Sequence, residues 1–134
     1  MTLRLISACS LAFALLVTAT SASAAVDCKN ASDQTSLNIC AGQDYKASDK
    51  KLNASYNQLL KQTSEHGKPL LQKAQRAWLI YRDAQCEYLT SSTTPYSAQP
   101  MLHLMCLDRL TQEQTKLLDE QLHCEEGDIG CGQQ

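Results

Sequence analysis

Apolar residues recur at spacings of four and three from Leu70 to Tyr88, through Ala74, Ala77, Tyr81 and Ala84. That is the period of one helix face. Leu71 and Trp78 widen the stripe, while Lys73, Arg76, Asp83 and Glu87 fall largely elsewhere, as on an amphipathic helix packed on a core. The pattern predicts a central helix from about Pro69 to Leu89 whose stripe, Trp78 included, is buried. Pro69 suits its first turn, where the missing N–H costs nothing.

Two further helices flank it. Ser32 or Asp33 can cap a helix that starts near Gln34, and Leu37, Ala41, Tyr45, Ser48, Leu52, Tyr56 and Leu59 keep a helical period to about Thr63. Lys50, Lys51, Asn53, Asn57 and Lys61 fall on its outer side, and Gly42 is a place where it can bend. Ser64 to Pro69 reads as a turn, punctuated by Gly67 and Pro69. Thr90 to Pro100 is a polar, proline-bearing loop without period. The last helix spans about Met101 to Leu122, with Cys106, Leu107, Leu110, Gln114, Leu117, Leu118 and Leu122 as its inner stripe. The expected architecture is all-α, a three-helix antiparallel bundle.

The N-terminus changes this picture. Arg4 supplies a positive start, Leu11 to Val17 an apolar run, and Ala22-Ser23-Ala24 a small-residue cleavage site. Residues 1–24 therefore read as a secretory signal peptide, and residues 25–134 as a single helical domain ending in a short acidic, cysteine-containing tail, 123–134. Cys9 precedes the apolar run and Cys28 follows Asp27, so neither is placed for lipid attachment. The expected product is periplasmic or secreted, with no stable membrane insertion after cleavage.

Charge and cysteines narrow the class. Without Arg4 the domain carries 11 basic and 14 acidic residues, which lacks the basic patch that nucleic acid requires. Phe13, the only phenylalanine, leaves with the signal, so the core rests on leucine, alanine and a few tyrosines. A domain this small and thinly cored usually needs covalent help. Six cysteines remain beyond Cys9, and an even set in an exported domain is a disulfide framework first. Fifteen connectivities are formally open to six cysteines. Sequence order favours Cys28–Cys40, Cys86–Cys106 and Cys124–Cys131, each worth roughly 2.5–3.5 kcal/mol on the chain-entropy model. A zinc site is the rival, since His103 shares a face with Cys106 and His123 abuts Cys124, but the spacings match no zinc motif.

Catalytic chemistry is not announced. No nucleophile elbow, phosphate-binding glycine loop or His-Glu-x-x-His helix occurs, and no cofactor is implied. Asp83 and Glu87 lie at helical spacing, yet such pairs are more often a solvated face, and Arg82 beside them points to salt bridging.

The motifs resemble those of the lysozyme inhibitor LprI-like family of small exported helical proteins. They are Asp27-Cys28, Thr35-x-x-Asn38-x-Cys40-Ala41, Tyr45 with Asp49, Leu52, Asn53 and Tyr56, the block Gln75-Arg76-Ala77-Trp78-x-x-Tyr81-Arg82-Asp83-Ala84-x-Cys86, and Cys106-Leu107-x-x-Leu110-Thr111 with Leu118. Within them Trp78, Tyr81, Arg82 and Asp83 are the family-motif residues of the central helix. One departure stands out, since Gln114 occupies a position where the pattern carries arginine. The resemblance implies a non-enzymatic exported protein that binds and inhibits lysozyme; a periplasmic interaction module for another envelope or toxin partner is the alternative. A net negative domain suits a basic muramidase. The loop from Thr90 to Pro100 would then supply the contact, through Tyr96 with Thr94 and Pro95, because the Trp78 stripe is spent on the core. The bland reading is that this loop only joins two helices.

Overall fold

A computed structural model describes residues 26–125, 127 and 129–131. The expected signal peptide, 1–24, and the last residues of the tail lie outside this set. Three α-helices account for the described fold: α1 (Gln34–Gln62), α2 (Gly67–Thr90) and α3 (Gln99–Leu122).

Local chemistry explains where they start and stop. The Asp33 side chain accepts a hydrogen bond from the Ser36 backbone N–H and caps α1. The Ser36 hydrogen bonds also hold the Asp33 carboxyl below the ordinary aspartate range. Thr63, in extended backbone, ends α1 while its hydroxyl donates to the Leu59 carbonyl. The helix runs through Gly42 without a break. A Cβ there would meet the Leu104 side chain at 3.8 Å, ordinary contact, so no tight approach requires a glycine here. α2 begins two residues before Pro69, and the Ser64 hydroxyl accepts from the Gly67 N–H at that end. Pro69 still falls among the first four residues, whose N–H groups have no partner within the helix.

The chain runs up, down and up. Asn38 reaches the Ser97 carbonyl, Ser48 bonds Asp108, and Leu59 packs with Leu118, so α1 and α3 are parallel neighbours. Thr90 faces His103, Cys86 is joined to Cys106, and Arg82 meets Thr111, so α2 is antiparallel to both. α3 lies along α1 more closely than along α2. Disulfides join Cys28 to Cys40, Cys86 to Cys106, and Cys124 to Cys131. The first ties the lead-in to α1, the second ties α2 to α3, and the third closes the tail on itself.

The core has two parts. Cys86, Cys106, Leu107 and Leu110 form one cluster, with Tyr45 packed against it. Leu52, Leu59 and Leu118 form the other, flanked by Tyr56, Leu71, Trp78 and Leu122. The α1 stripe expected from sequence faces inward, with Ala41, Ser48, Leu52 and Leu59 buried. On α3, Leu117 is exposed instead of buried, and Thr111 takes an inner place without any accessible surface.

α2 departs most from expectation. Leu70, Ala74, Ala77, Tyr81, Ala84 and Tyr88 face solvent, and the buried positions of the helix include Gln75, Arg82 and Cys86. Trp78 is half-buried at the edge of the core, not in its centre. The helix is rotated so that its apolar stripe points outward. Cys86 gives the physical reason: it is fully buried in its bond to α3, and residues 75, 79 and 82 share its side of the helix.

Candidate partner-binding surface

Arg82 sits where the two core clusters meet and is 6% exposed. Its guanidinium lies 5.5 Å from the centre of the Tyr45 ring and 5.3 Å from that of Trp78. One ring belongs to each cluster, so the cation is held between two π faces. Arg82 Nε and Nη2 both reach Asp83 Oδ1 at 2.8 Å, while Nη1 stands 3.7 Å from Asp49 Oδ1 and donates to Thr111 Oγ1 at 3.4 Å. All three helices contribute. Burying a charge costs several kcal/mol unless it is paired and hydrogen-bonded, and here two carboxylates, a hydroxyl and two rings do that work. Burial raises the Tyr45 phenol above its ordinary value, against the nearby guanidinium that lowers it. Gln75, one α2 turn pair away on the same side, is buried with no hydrogen-bond partner for its Oε1.

Asp83 is thus a salt-bridge partner of Arg82. Of the four motif residues on α2, Trp78, Arg82 and Asp83 join this centre. Tyr81 does not; it is 56% exposed.

Two exposed surfaces carry outward-facing tyrosines. The first is the outer face of α2, where Leu70, Ile80, Tyr81 and Tyr88 stand in water, Ile80 at 72% and Tyr88 at 74% exposure. The alanines Ala74, Ala77 and Ala84 lie between them. The second is the α2–α3 connection. It is shorter than the sequence suggests, because α2 continues to Thr90, a 3-10 turn spans Ser91–Thr93, and α3 takes up Gln99 and Pro100. The Tyr96 N–H donates to the Thr93 carbonyl at 2.7 Å, the Gln99 N–H donates to the Tyr96 carbonyl at 3.0 Å, and Asn38 holds the Ser97 carbonyl from α1. Thr94 and Pro95 are exposed, and Tyr96 is 69% exposed. The connection is a tied, compact turn that holds a tyrosine outward.

Between α1 and α3 runs an open groove of about 480 Å³ lined by Ser48, Lys51, Gln112, Thr115, Asp119 and His123, among others. Its charges are of both signs, and His123 Nδ1 is 2.6 Å from the Asp119 carbonyl oxygen. His103 pairs with Thr90, and Cys106 beside it is spent on the bond to Cys86. Among the described residues no three His, Cys, Asp or Glu side chains converge on one point.

Comparison with known proteins identifies the family of the chain. The family described as lysozyme inhibitor LprI matches residues 27–118. The chain belongs to the lysozyme inhibitor LprI family. Uncharacterized protein R02472 of Rhizobium meliloti (strain 1021) is 40% identical over 107 residues, covering 70% of this chain and 77% of that protein. Uncharacterized protein YecT of Escherichia coli (strain K12) is 35% identical over 112 residues, covering 67% and 69% respectively. No solved structure matches the chain.

The LprI match contains the whole Arg82 centre, two of the disulfides and the Tyr96 turn, and it ends before Cys124. Gln114 is half-buried and lines a cavity of about 180 Å³ with Leu59, Thr63, Leu71, Leu118 and others. None of the lining side chains is acidic. The sequence reading missed the Arg82 centre, although Tyr45, Asp49, Trp78, Arg82, Asp83 and Thr111 all lie in its motifs. The available signal was Cys86. A cysteine bonded to α3 must face inward, and Arg82, four residues earlier, goes inward with it.

Proposed function

We propose that this protein is exported to the cell envelope or beyond and there binds and inhibits lysozyme, acting by binding alone. The observation that carries the reading is membership of the lysozyme inhibitor LprI family across 27–118. Among the described residues no helix is long and apolar enough to cross a membrane, which agrees with a periplasmic or secreted protein. The Tyr96 turn supports the reading physically. It projects a stiff amphipathic side chain of the type enriched at binding hot spots. The Cys86–Cys106 bond and the turn hydrogen bonds pin its base, which lowers the ordering cost of association. The acidic balance of residues 25–134, 11 basic against 14 acidic, steers the chain toward a basic muramidase.

The test is an inhibition titration of the oxidised protein against lysozymes of several types. Inhibition of at least one type is expected. Tyr96→Ala should weaken it by at least about tenfold, roughly 1.4 kcal/mol, with an unchanged melting temperature. Full inhibition by that variant would remove the turn as the contact. A wild type that inhibits no lysozyme would leave the second reading, an interaction module for another envelope partner. The exposed tyrosines of α2 favour that reading over an enzyme.

A further inference from the structure

We propose that the outer face of α2 is a homodimer interface, formed by two copies pairing their α2 helices antiparallel about a twofold axis beside Ile80. This inference stands on the surface alone and does not rest on lysozyme inhibition.

The first observation is the pattern itself. Leu70, Ala74, Ala77, Tyr81, Ala84 and Tyr88 alternate steps of four and three over nearly three heptads, the a/d seam of a two-helix contact. In the monomer the whole seam is exposed. α2 cannot roll to bury it, because the Cys86–Cys106 bond and the Arg82 centre fix its rotation. A contiguous apolar surface of this kind marks an interaction site.

The second observation selects the occupant. A twofold interface must be complementary to itself. Laid antiparallel on its own copy, the seam places Leu70 against Tyr88, Ala74 against Ala84, and Ala77 against Tyr81. The alanines let the backbones approach, and each Tyr81 ring covers an Ala77 of the other copy. Beside the seam, Lys73 of one copy comes opposite Glu87 of the other, twice, and Ile80 meets its own equivalent at the axis. Both charged side chains are exposed, and among the described residues neither has an ion-pair partner within the chain. A parallel pairing would instead bring the two Lys73 to one level and the two Glu87 to another. The charges therefore choose the antiparallel direction.

The third observation is area. A fully buried aromatic removes roughly 150–250 Å² from water, and two copies contribute four tyrosines that are 56–74% exposed, with two copies each of Leu70 and Ile80. That brings the contact to about the 1,000 Å² that a specific interface requires.

Sedimentation equilibrium of the oxidised protein tests the proposal. Twice the monomer mass is expected at tens of micromolar. Ala77→Glu should be monomeric with an unchanged helical circular-dichroism spectrum, since position 77 is exposed. Lys73→Glu and Glu87→Lys should each raise the dimer dissociation constant about tenfold, and the double variant should restore it. A wild type that stays monomeric to about millimolar concentration would overturn the proposal. So would a dimer indifferent to Ala77→Glu, or one that the double exchange does not rescue. Loss of lysozyme binding by Ala77→Glu in a monomeric wild type would assign the face to that partner instead.

Discussion

α1 and α2 carry apolar stripes of the same kind and meet opposite fates. On α1 the stripe that begins at Leu37 packs against α3, with Ala41, Leu52 and Leu59 buried. On α2 the stripe that begins at Leu70 faces water, and an arginine and a glutamine lie underneath. α1 has no buried charge and no covalent bond to another helix to oppose its stripe, and its polar contacts, Ser48 with Asp108 and Tyr45 with Arg82, lie on the same side as the buried leucines. α2 has both a buried charge and such a bond. A disulfide and a guanidinium held between two rings outweigh the burial of one leucine, two tyrosines and three alanines, of which the alanines offer little area. Periodicity shows that a helix has a face. It does not show which way the face turns when a stronger constraint acts on another side.

The most severe way to break this comparison is to remove the arginine. Arg82→Ala deletes two cation–π contacts, the pairing to Asp83 and Asp49 and the packing of the stem, and should destabilise by about 3 kcal/mol in urea unfolding. Arg82→Lys should recover only part of this, because an ammonium cannot stack as a planar fork does. If Arg82→Ala were as stable as wild type, the rotation of α2 would have to be credited to the disulfide alone.

Trp78 and Tyr81 sharpen the contrast, since they stand three residues apart in one motif. Trp78→Ala should cost about 2 kcal/mol, less than the 3–5 kcal/mol of a fully buried tryptophan. Tyr81→Ala should stay within about 0.5 kcal/mol, as exposed positions do, when both are measured at concentrations where the chain is monomeric. Equal losses would contradict the orientation of the helix.

Gln75 tests the polar inner face from the other direction. Its buried Oε1 has no partner, so Gln75→Met, of similar shape, should stabilise by about 1 kcal/mol. A destabilised variant would mean that the amide is satisfied.

The smallest effect concerns Tyr45. Its phenol pKa is raised above 10.0, chiefly by burial, so the native state holds that proton more tightly than the unfolded chain. The corresponding stability is fully present below about pH 10 and is lost as pH rises through the raised value. Tyr45→Phe should therefore flatten the alkaline fall of the urea midpoint. An unchanged slope would detach Tyr45 from it.

Much of the fold follows from the chain alone. Asp33, Thr63 and the Gly67–Pro69 punctuation mark helix ends through local hydrogen bonding and backbone sterics, which need no distant partner. The inner faces of α1 and most of α3 are legible for a related reason: their apolar periods coincide with the positions of Cys40 and Cys106, although Leu117 turns outward and Thr111 inward. On α2 the signals disagree. The apolar period selects Leu70 to Tyr88, whereas Cys86 and Arg82 select the other side, and only assembly of the three helices decides between them. Tyr45, Trp78 and Thr111 come from three helices, and the energy of placing a cation among them exists only after those helices meet. The Tyr96 turn is legible as a loop but not as a tied one, because Asn38, which holds the Ser97 carbonyl, lies 59 residues earlier in the chain. Local chemistry determined the helices of this protein, and long-range electrostatics with a covalent bond decided which face of α2 it shows.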